Sequence, residues 1–421
     1  MSIETEIMAH TPWGAGVEPL LQQLDSAGAA IAARAEAWSA INSGSYELAG
    51  LERMRAALMA AFASLPGEIA ALALAPTQRL RPDGELDALE HGAAIRVRVR
   101  PQAPIQAALT GHFDTVFPAA HAFQTPWRAD PVTLHGPGVA DMKGGLSLML
   151  AALQAFEAAP GVKNLGYEIL LSPDEEIGSP ASAGLLAELG ARAHVGLTYE
   201  PALADGSLVS SRKGSGNFSL SLRGRAAHVG RAFTDGRSAV LAAAAAGLAL
   251  DALNGQREGV TFNVGAIDGG GAVNVVPDRA VLRFNARAPD GESAAWAVAE
   301  IERIAEAAGA RDGVSAQLHG GFTRPPKPLN PAQQTLIGWT QRAGAALGLE
   351  LKFQPSGGVC EGNNLAAAGC PNIDTLGPCG GGLHSDQEYV FIPSFAERAK
   401  LSLLLLLGLN SGVFDARSLR L

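Results

Sequence analysis

The strongest constraint on the fold is a rhythm of short apolar runs and alanine- and leucine-rich helical stretches between Ile95 and Tyr199. Ile95 to Val99 alternates apolar and basic residues, as an outer strand does, and Ile105 to Leu109, Tyr167 to Ser172 and Val195 to Tyr199 read as buried strands. Helical spacing fills the gaps, from about Leu146 to Ala158 and from Ser182 to Gly190. Strand, helix, strand, helix in this order implies an α/β fold: a mainly parallel sheet flanked by helices. Upstream, Val17 to Leu65 reads as two helices broken at Asn42-Ser43-Gly44-Ser45.

The pattern changes near Ser210. Gly216 to Arg223, Thr261 to Ile267, Ala280 to Arg287 and Val314 to Leu318 read as strands, with helices over Ser238 to Leu253 and Ala294 to Ala308. Strand–helix–strand–strand–helix–strand fits a small α+β unit of the ferredoxin-like type. Arg324-Pro325-Pro326-Lys327-Pro328 reads as a stiff exit linker, and beyond it the helix Gln333 to Leu347 resumes the earlier style. A chain of 421 residues exceeds one compact core. The expected division is therefore a catalytic α/β domain in two parts, 1–210 and 325–421, with residues 211–324 inserted between them.

Composition narrows the function classes. Hydrophobic residues make up 47% and charged residues 17%, which excludes a disordered chain. The formal net charge is −9 and no Lys/Arg block interrupts it, which argues against nucleic acid as a partner. Cys360, Cys370 and Cys379 are odd in number and lack zinc-ribbon spacing. Met1 to Pro12 has no apolar core and does not read as a secretory signal. The run Leu401 to Leu407 is too short to span a bilayer and reads as part of a buried helix. A cytoplasmic location without membrane attachment is the expectation.

Chemistry concentrates where the apolar runs end. Ile105 to Leu109 leads into Gly111-His112-Phe113-Asp114, Tyr167 to Ser172 into Pro173-Asp174-Glu175-Glu176, and Val195 to Tyr199 into Glu200. Asp141 sits in the glycine-rich segment Gly136 to Gly145, and His384 in Gly380-Gly381-Gly382-Leu383-His384-Ser385. On a strand His112 and Asp114 share a face. That pair alone suits either a hydrogen-bonded core histidine or a metal ligand oriented by a carboxylate. In open α/β sheets the crevice beyond the carboxyl ends of the strands is the ligand site, and carboxylates gathered there repel one another unless a cation neutralises them. Two histidines with three carboxylates form a divalent-metal set that favours zinc, with cobalt or manganese as alternatives. The adjacent pair Glu175-Glu176 points in two directions, so one member can bind metal while the other serves as general base. The glycines of Gly136 to Gly145 match neither nucleotide fingerprint.

Taken together, the motifs Gly-His-Phe-Asp-Thr-Val-Phe-Pro, Gly-Pro-Gly-Val-Ala-Asp-Met-Lys-Gly-Gly, Ser-Pro-Asp-Glu-Glu-Ile-Gly-Ser, Tyr-Glu-Pro, Arg-Gly-Arg-Ala-Ala-His-Val-Gly and Gly-Gly-Gly-Leu-His-Ser carry a resemblance. From about Trp38 to its end the chain resembles the dinuclear-zinc metallopeptidases that include glutamate carboxypeptidase, acetylornithine deacetylase and succinyl-diaminopimelate desuccinylase. The segment Ile41 to Ser45 looks most like the glutamate carboxypeptidase branch. The resemblance implies that Asp141 bridges two metal ions, with a cis peptide to Met142. His112 and Glu200 would complete one site, Glu176 and His384 the other. Glu175 would be the general base, and Asp114 would touch only His112.

In the inserted unit the resemblance implies that His228 reaches a partner subunit's site and stabilises the oxyanion, that Asn274 binds substrate and that Arg287 grips the substrate α-carboxylate. It also implies a lid and a homodimer formed through this unit. The segment Gly357-Gly358-Val359-Cys360-Glu361-Gly362 departs from many relatives, which have a small hydroxyl residue and then aspartate. Substrate identity therefore stays open between a C-terminal-residue peptidase and an N-acyl amino acid deacylase. A binding protein for amino-acid derivatives is the non-enzymatic reading. Arg324 is read either as a surface residue or as one that approaches the cleft.

Overall fold

The computed structural model describes Trp13 and residues 16–420; the segment Met1 to Pro12 lies outside them. A six-stranded sheet runs in the order Glu68–Leu72, Ala94–Val99, Leu165–Ser172, Ile105–His112, Val195–Thr198, Asn372–Ile373. The first two pairings are antiparallel and the remaining three parallel. Strand periodicity explains its two covers. Ala107 and Leu109 face one hydrophobic cluster, together with Ile169 and Leu171, whereas Ala108 and Leu170 face the other. On the first face the helix Gly144–Ala158 is wedged between the sheet and the helices Val17–Ser39 and Pro393–Ser411. It is apolar nearly all round, as a helix buried on every side must be. Leu401 to Leu407 lies buried in Pro393–Ser411. Among the described residues, no helix is long and apolar enough to cross a membrane.

Gly145 permits the tight start of Gly144–Ala158. A Cβ there would collide with the carbonyl of Tyr199, so a larger residue would push the helix away from the strand that leads to Glu200.

A second, wholly antiparallel sheet has the order Thr261–Gly269, Arg279–Ala288, Gly214–Arg223, Ser315–Arg324. The helices Ala239–Asp251 and Gly291–Gly309 pack on it around a separate core that includes Phe218, Leu282, Phe284 and Ile301. Register places Arg287 and Arg324 in one row, on either side of Ser215. A two-stranded ribbon, Ala227–His228 with Val275–Val276, carries His228 and leaves Asn274 at its edge.

Two features differ from the sequence reading. Glu68–Leu72 adds an edge strand beyond Ala94–Val99, and both its pairing and that of Ala94–Val99 with Leu165–Ser172 are antiparallel, so the sheet is mixed. The segment expected to be a stiff linker is not a solvent-exposed spacer. Arg324 and Lys327 are 2% and 1% exposed, because each cation lies against a carboxylate, Glu175 and Asp374 respectively.

Candidate metal centre

Three neighbouring parallel strands end side by side. His112 closes the strand Ile105–His112, Glu175 and Glu176 follow Leu165–Ser172, and Glu200 follows Val195–Thr198. Asp141 is delivered by the helical turn Val139–Lys143, where Asp141 and Met142 depart from helical angles and their peptide bond is cis. His384 arrives from a left-handed position, φ 61°, after the glycine run.

These residues converge on Asp141. Its Oδ1 lies 2.9 Å from His112 Nε2, and its Oδ2 lies 3.3 Å from His384 Nε2. Glu200 Oε1 lies 3.7 Å from His112 Nε2, and Glu176 Oε2 3.2 Å from His384 Nε2. Two ligand sets result, His112–Asp141–Glu200 and Asp141–Glu176–His384, each able to hold one ion, with the two oxygens of Asp141 facing opposite sets. The donor chemistry fits a pair of divalent cations sharing one carboxylate.

Electrostatics argue the same way. Burial first, and then the negative charge of Asp141, push the Glu200 carboxyl up to about 8. The same two causes raise Glu176 well above the carboxylate range. Hydrogen bonds to Asp141 and Glu176 push His384 up to about 11. Ionising Glu176 and Glu200 beside the Asp141 carboxylate is therefore costly, and divalent charge offsets that cost.

Asp114 does more than expected. Its Oδ1 lies 3.3 Å from His112 Nδ1, and it stands outside both ligand sets. It does not touch His112 alone, however. The backbone N–H groups of Glu175 and Glu176 donate to its Oδ1 and Oδ2 at 3.0 and 3.1 Å, and the Ser45 hydroxyl donates to Oδ2 at 2.7 Å. A buried carboxylate with two oxygens has more acceptor capacity than one imidazole uses. Here the surplus pins the turn that carries Glu175 and Glu176.

Beside the cluster opens a cavity of about 710 Å³, lined by Asp141, Glu175, Glu176, Glu200 and His384 on one side and by Arg212, Arg287, Gly357 and Cys360 on the other. Arg287 donates to the carbonyl of Gly357 at 3.1 Å and to Asn285 Oδ1 at 2.9 Å. His228 and Asn274 are exposed and do not line this cavity within one chain. His228 Nδ1 accepts from the Gly230 N–H at 3.1 Å.

Several residues of the neighbourhood had no assigned role in the sequence reading. Glu388 is 1% exposed and accepts from the N–H groups of Gly138, Ala140 and Asp141 at 2.9, 2.8 and 3.0 Å. Burial and the nearby Asp141 push its carboxyl up to about 7. Its signal was a carboxylate four positions after His384. Replacing Glu388 with alanine removes the acceptor for three backbone donors of the Asp141 turn. Metal affinity is expected to fall by roughly 10- to 100-fold, which competition with a chromophoric chelator would measure. Affinity equal to the parent's would remove Glu388 from the support of the centre.

Cys360 and Glu361, singled out as a departure, part in role. Cys360 lines the cavity, and its Sγ accepts from the Gly362 N–H at 3.3 Å. Glu361 is fully buried and hydrogen-bonds to the Ser172 hydroxyl. Arg212 is bound in two places to Asp374, at 2.7 and 3.1 Å, and Lys327 shares that carboxylate at 2.8 Å. The only mark of Asp374 in the sequence is that it is the one charge between Cys370 and Cys379.

Comparison with known proteins supplies independent context. The family model described as peptidase family M20/M25/M40 matches residues 108–407. The chain is 28% identical over 313 residues to a carboxypeptidase G2 of Pseudomonas sp. (strain RS-16), covering 72% of this chain and 74% of that protein. It is 30% identical over 342 residues to a succinyl-diaminopimelate desuccinylase of Alkalilimnicola ehrlichii, covering 74% of this chain and 87% of that protein. Its fold is similar to that of a tripeptidase from Staphylococcus aureus, with a TM-score of 0.69 at 21% identity over 91% of this chain and 98% of the other.

Proposed function

Because the chain belongs to peptidase family M20/M25/M40, and is therefore a hydrolytic enzyme of a metal-dependent family, we propose that it cleaves an amide or peptide bond to release an amino acid with a free carboxylate. The observation that carries this reading is the pair of ligand sets sharing Asp141, with Glu175 outside both and facing the same cavity. His112, Asp141 and Glu200 would hold one ion, and Asp141, Glu176 and His384 the other, with zinc as the metal the mixed nitrogen and oxygen donors favour.

When bound, such ions polarise the scissile carbonyl and lower the pKa of a water. Glu175 takes the proton of the attacking water on a carboxylate oxygen and returns it to the departing nitrogen. Arg287, which lines the cavity, receives the carboxylate of the leaving amino acid in a two-pronged grip. Asn274 binds substrate, and His228 acts on the site of a second copy of the chain, where its imidazole donates to the oxyanion as charge develops. The unit built on the four-stranded sheet, 211–324, then serves as lid and dimerisation domain, set into the catalytic parts 1–210 and 325–421. Exposed apolar residues on this unit support that arrangement, among them Phe233, Leu241, Leu248 and Val273. We place the enzyme in the cytoplasm, where its three unpaired cysteines need no disulfide partner.

Carboxypeptidase and deacylase readings share this chemistry and differ only in the acyl part of the substrate. A panel of dipeptides and N-acetyl amino acids, assayed with zinc, cobalt and manganese, tests the proposal. Turnover is expected only for substrates whose leaving amino acid keeps a free carboxylate. Equal rates for C-terminal amides would refute the role of Arg287, and metal binding without any hydrolysis would favour a binding protein.

A further inference from the structure

We propose that Arg324 is the positioning residue of the general base, holding the Glu175 carboxylate from the four-stranded sheet. This rests on the reading of Glu175 as the base. Arg324 is the last residue of the strand Ser315–Arg324 and is 2% exposed. Its Nη2 donates to Glu175 Oε1 at 2.7 Å and to the Glu175 carbonyl at 3.2 Å. Its Nη1 donates to Asn364 Oδ1 at 2.6 Å, and the Asn364 amide donates back to the carbonyl of Thr323 at 3.1 Å. The guanidinium is thus held at Nη1 by Asn364 while Nη2 meets the base.

The consequence for Glu175 is geometric. Asp114 accepts the backbone N–H of Glu175 from one side, and Arg324 takes one carboxylate oxygen and the carbonyl from the other. One oxygen is occupied, so a single oxygen is left for proton transfer and the carboxylate cannot swing out of line. Such restraint matters because a misplacement of about 1 Å costs a reaction on the order of 100-fold. A lysine cannot reproduce it, since one prong of the planar fork is anchored on Asn364 while the other holds Glu175.

The anchor also crosses the molecule. Glu175 follows a strand of the six-stranded sheet, whereas Arg324 ends a strand of the sheet with its own hydrophobic core. Arg287 stands in the same row as Arg324, across Ser215. One sheet end therefore carries both the group assigned to the substrate carboxylate and the group that orients the base. Displacing that sheet withdraws both together.

The test uses the full chain reconstituted with zinc and compares Arg324→Ala, Arg324→Lys, Glu175→Gln and the double variant Arg324→Ala/Glu175→Gln. The substrate is the dipeptide or N-acetyl amino acid that the parent turns over fastest. Arg324→Ala is expected to lower kcat about 100-fold with KM changed by less than roughly threefold, with zinc content unchanged. Added guanidinium should restore part of the rate, and Arg324→Lys should remain well below the parent. In the double variant the loss of Arg324 should add nothing to the loss of Glu175. Crystal structures should show the Glu175 carboxylate displaced in Arg324→Ala. Full kcat in Arg324→Ala, an additive loss in the double variant, or an unmoved Glu175 would each overturn the proposal. Near-parental turnover by Glu175→Gln would instead overturn the assignment of the base, and this proposal with it.

Discussion

Replacing Glu175 with alanine is expected to leave both metal equivalents bound and to slow turnover by roughly 10²- to 10⁴-fold. The two halves of that result have separate causes. Glu175 belongs to neither candidate ligand set, so its loss should take no donor from an ion, whereas Glu176, its neighbour, is one of the three candidate donors of the second set. Glu176→Ala should therefore lose metal as well as rate. The rate falls in Glu175→Ala because, among the described residues, every other carboxylate on the cavity wall belongs to a candidate ligand set: Asp141, Glu176 and Glu200. Metal analysis of the dialysed protein and steady-state kinetics on the same sample check both halves. Near-parental kcat would remove Glu175 from the reaction, and loss of metal would make it a ligand.

The second large effect concerns stability. Asp374 is fully buried between Arg212 and Lys327. Asp374→Asn keeps the shape and removes the charge that two buried cations share, and is expected to cost about 3–5 kcal/mol of unfolding free energy. Lys327→Met should cost less, because the two-pronged contact between Arg212 and Asp374 survives. Urea denaturation at neutral pH would rank the two variants, and a larger loss for Lys327→Met would contradict the charge argument.

The acid limb of stability follows from the same group. Burial opposes ionisation of Asp374, but Arg212 and Lys327 outweigh it and hold the carboxyl at about 2. A folded value below the unfolded one, near 4, means a stabilising contribution that is complete above pH 4. It fades as pH falls from there through about 2, and is on the order of 2 kcal/mol. The parent should lose this contribution over that interval, whereas Asp374→Asn, which has no such carboxyl, should show a shallower acid limb. Identical acid limbs would mean that the carboxyl titrates as it does in the unfolded chain.

Much of the candidate centre is legible in the amino-acid sequence because its residues are set by patterns local along the chain. His112 and Asp114 are two apart on a strand, Glu175 and Glu176 adjoin at the end of another, and Glu200 follows a third. Strand ends in an α/β sheet share one edge, so apolar periodicity alone brings such residues together. The rhythm of elements carries the fold in the same way. Hydrophobic period separates helix from strand, and the change of rhythm near Ser210 marks the second sheet.

Contacts that join distant segments have no periodic signal. Arg324 stands in a proline-rich stretch with every local mark of a spacer, yet it is buried against Glu175, 149 positions away. Glu388 holds the Asp141 turn across 247 positions, and Ser45 reaches Asp114 across 69. Whether a charged side chain is solvated or paired depends on what the fold places opposite it, and local sequence carries no record of that. By itself the sequence determined which residues stand at the strand ends, because hydrophobic periodicity and spacing are properties of neighbours along the chain. Only the tertiary structure decided which distant charges lock those residues in place, because a buried ion pair exists only once two remote segments have left water together.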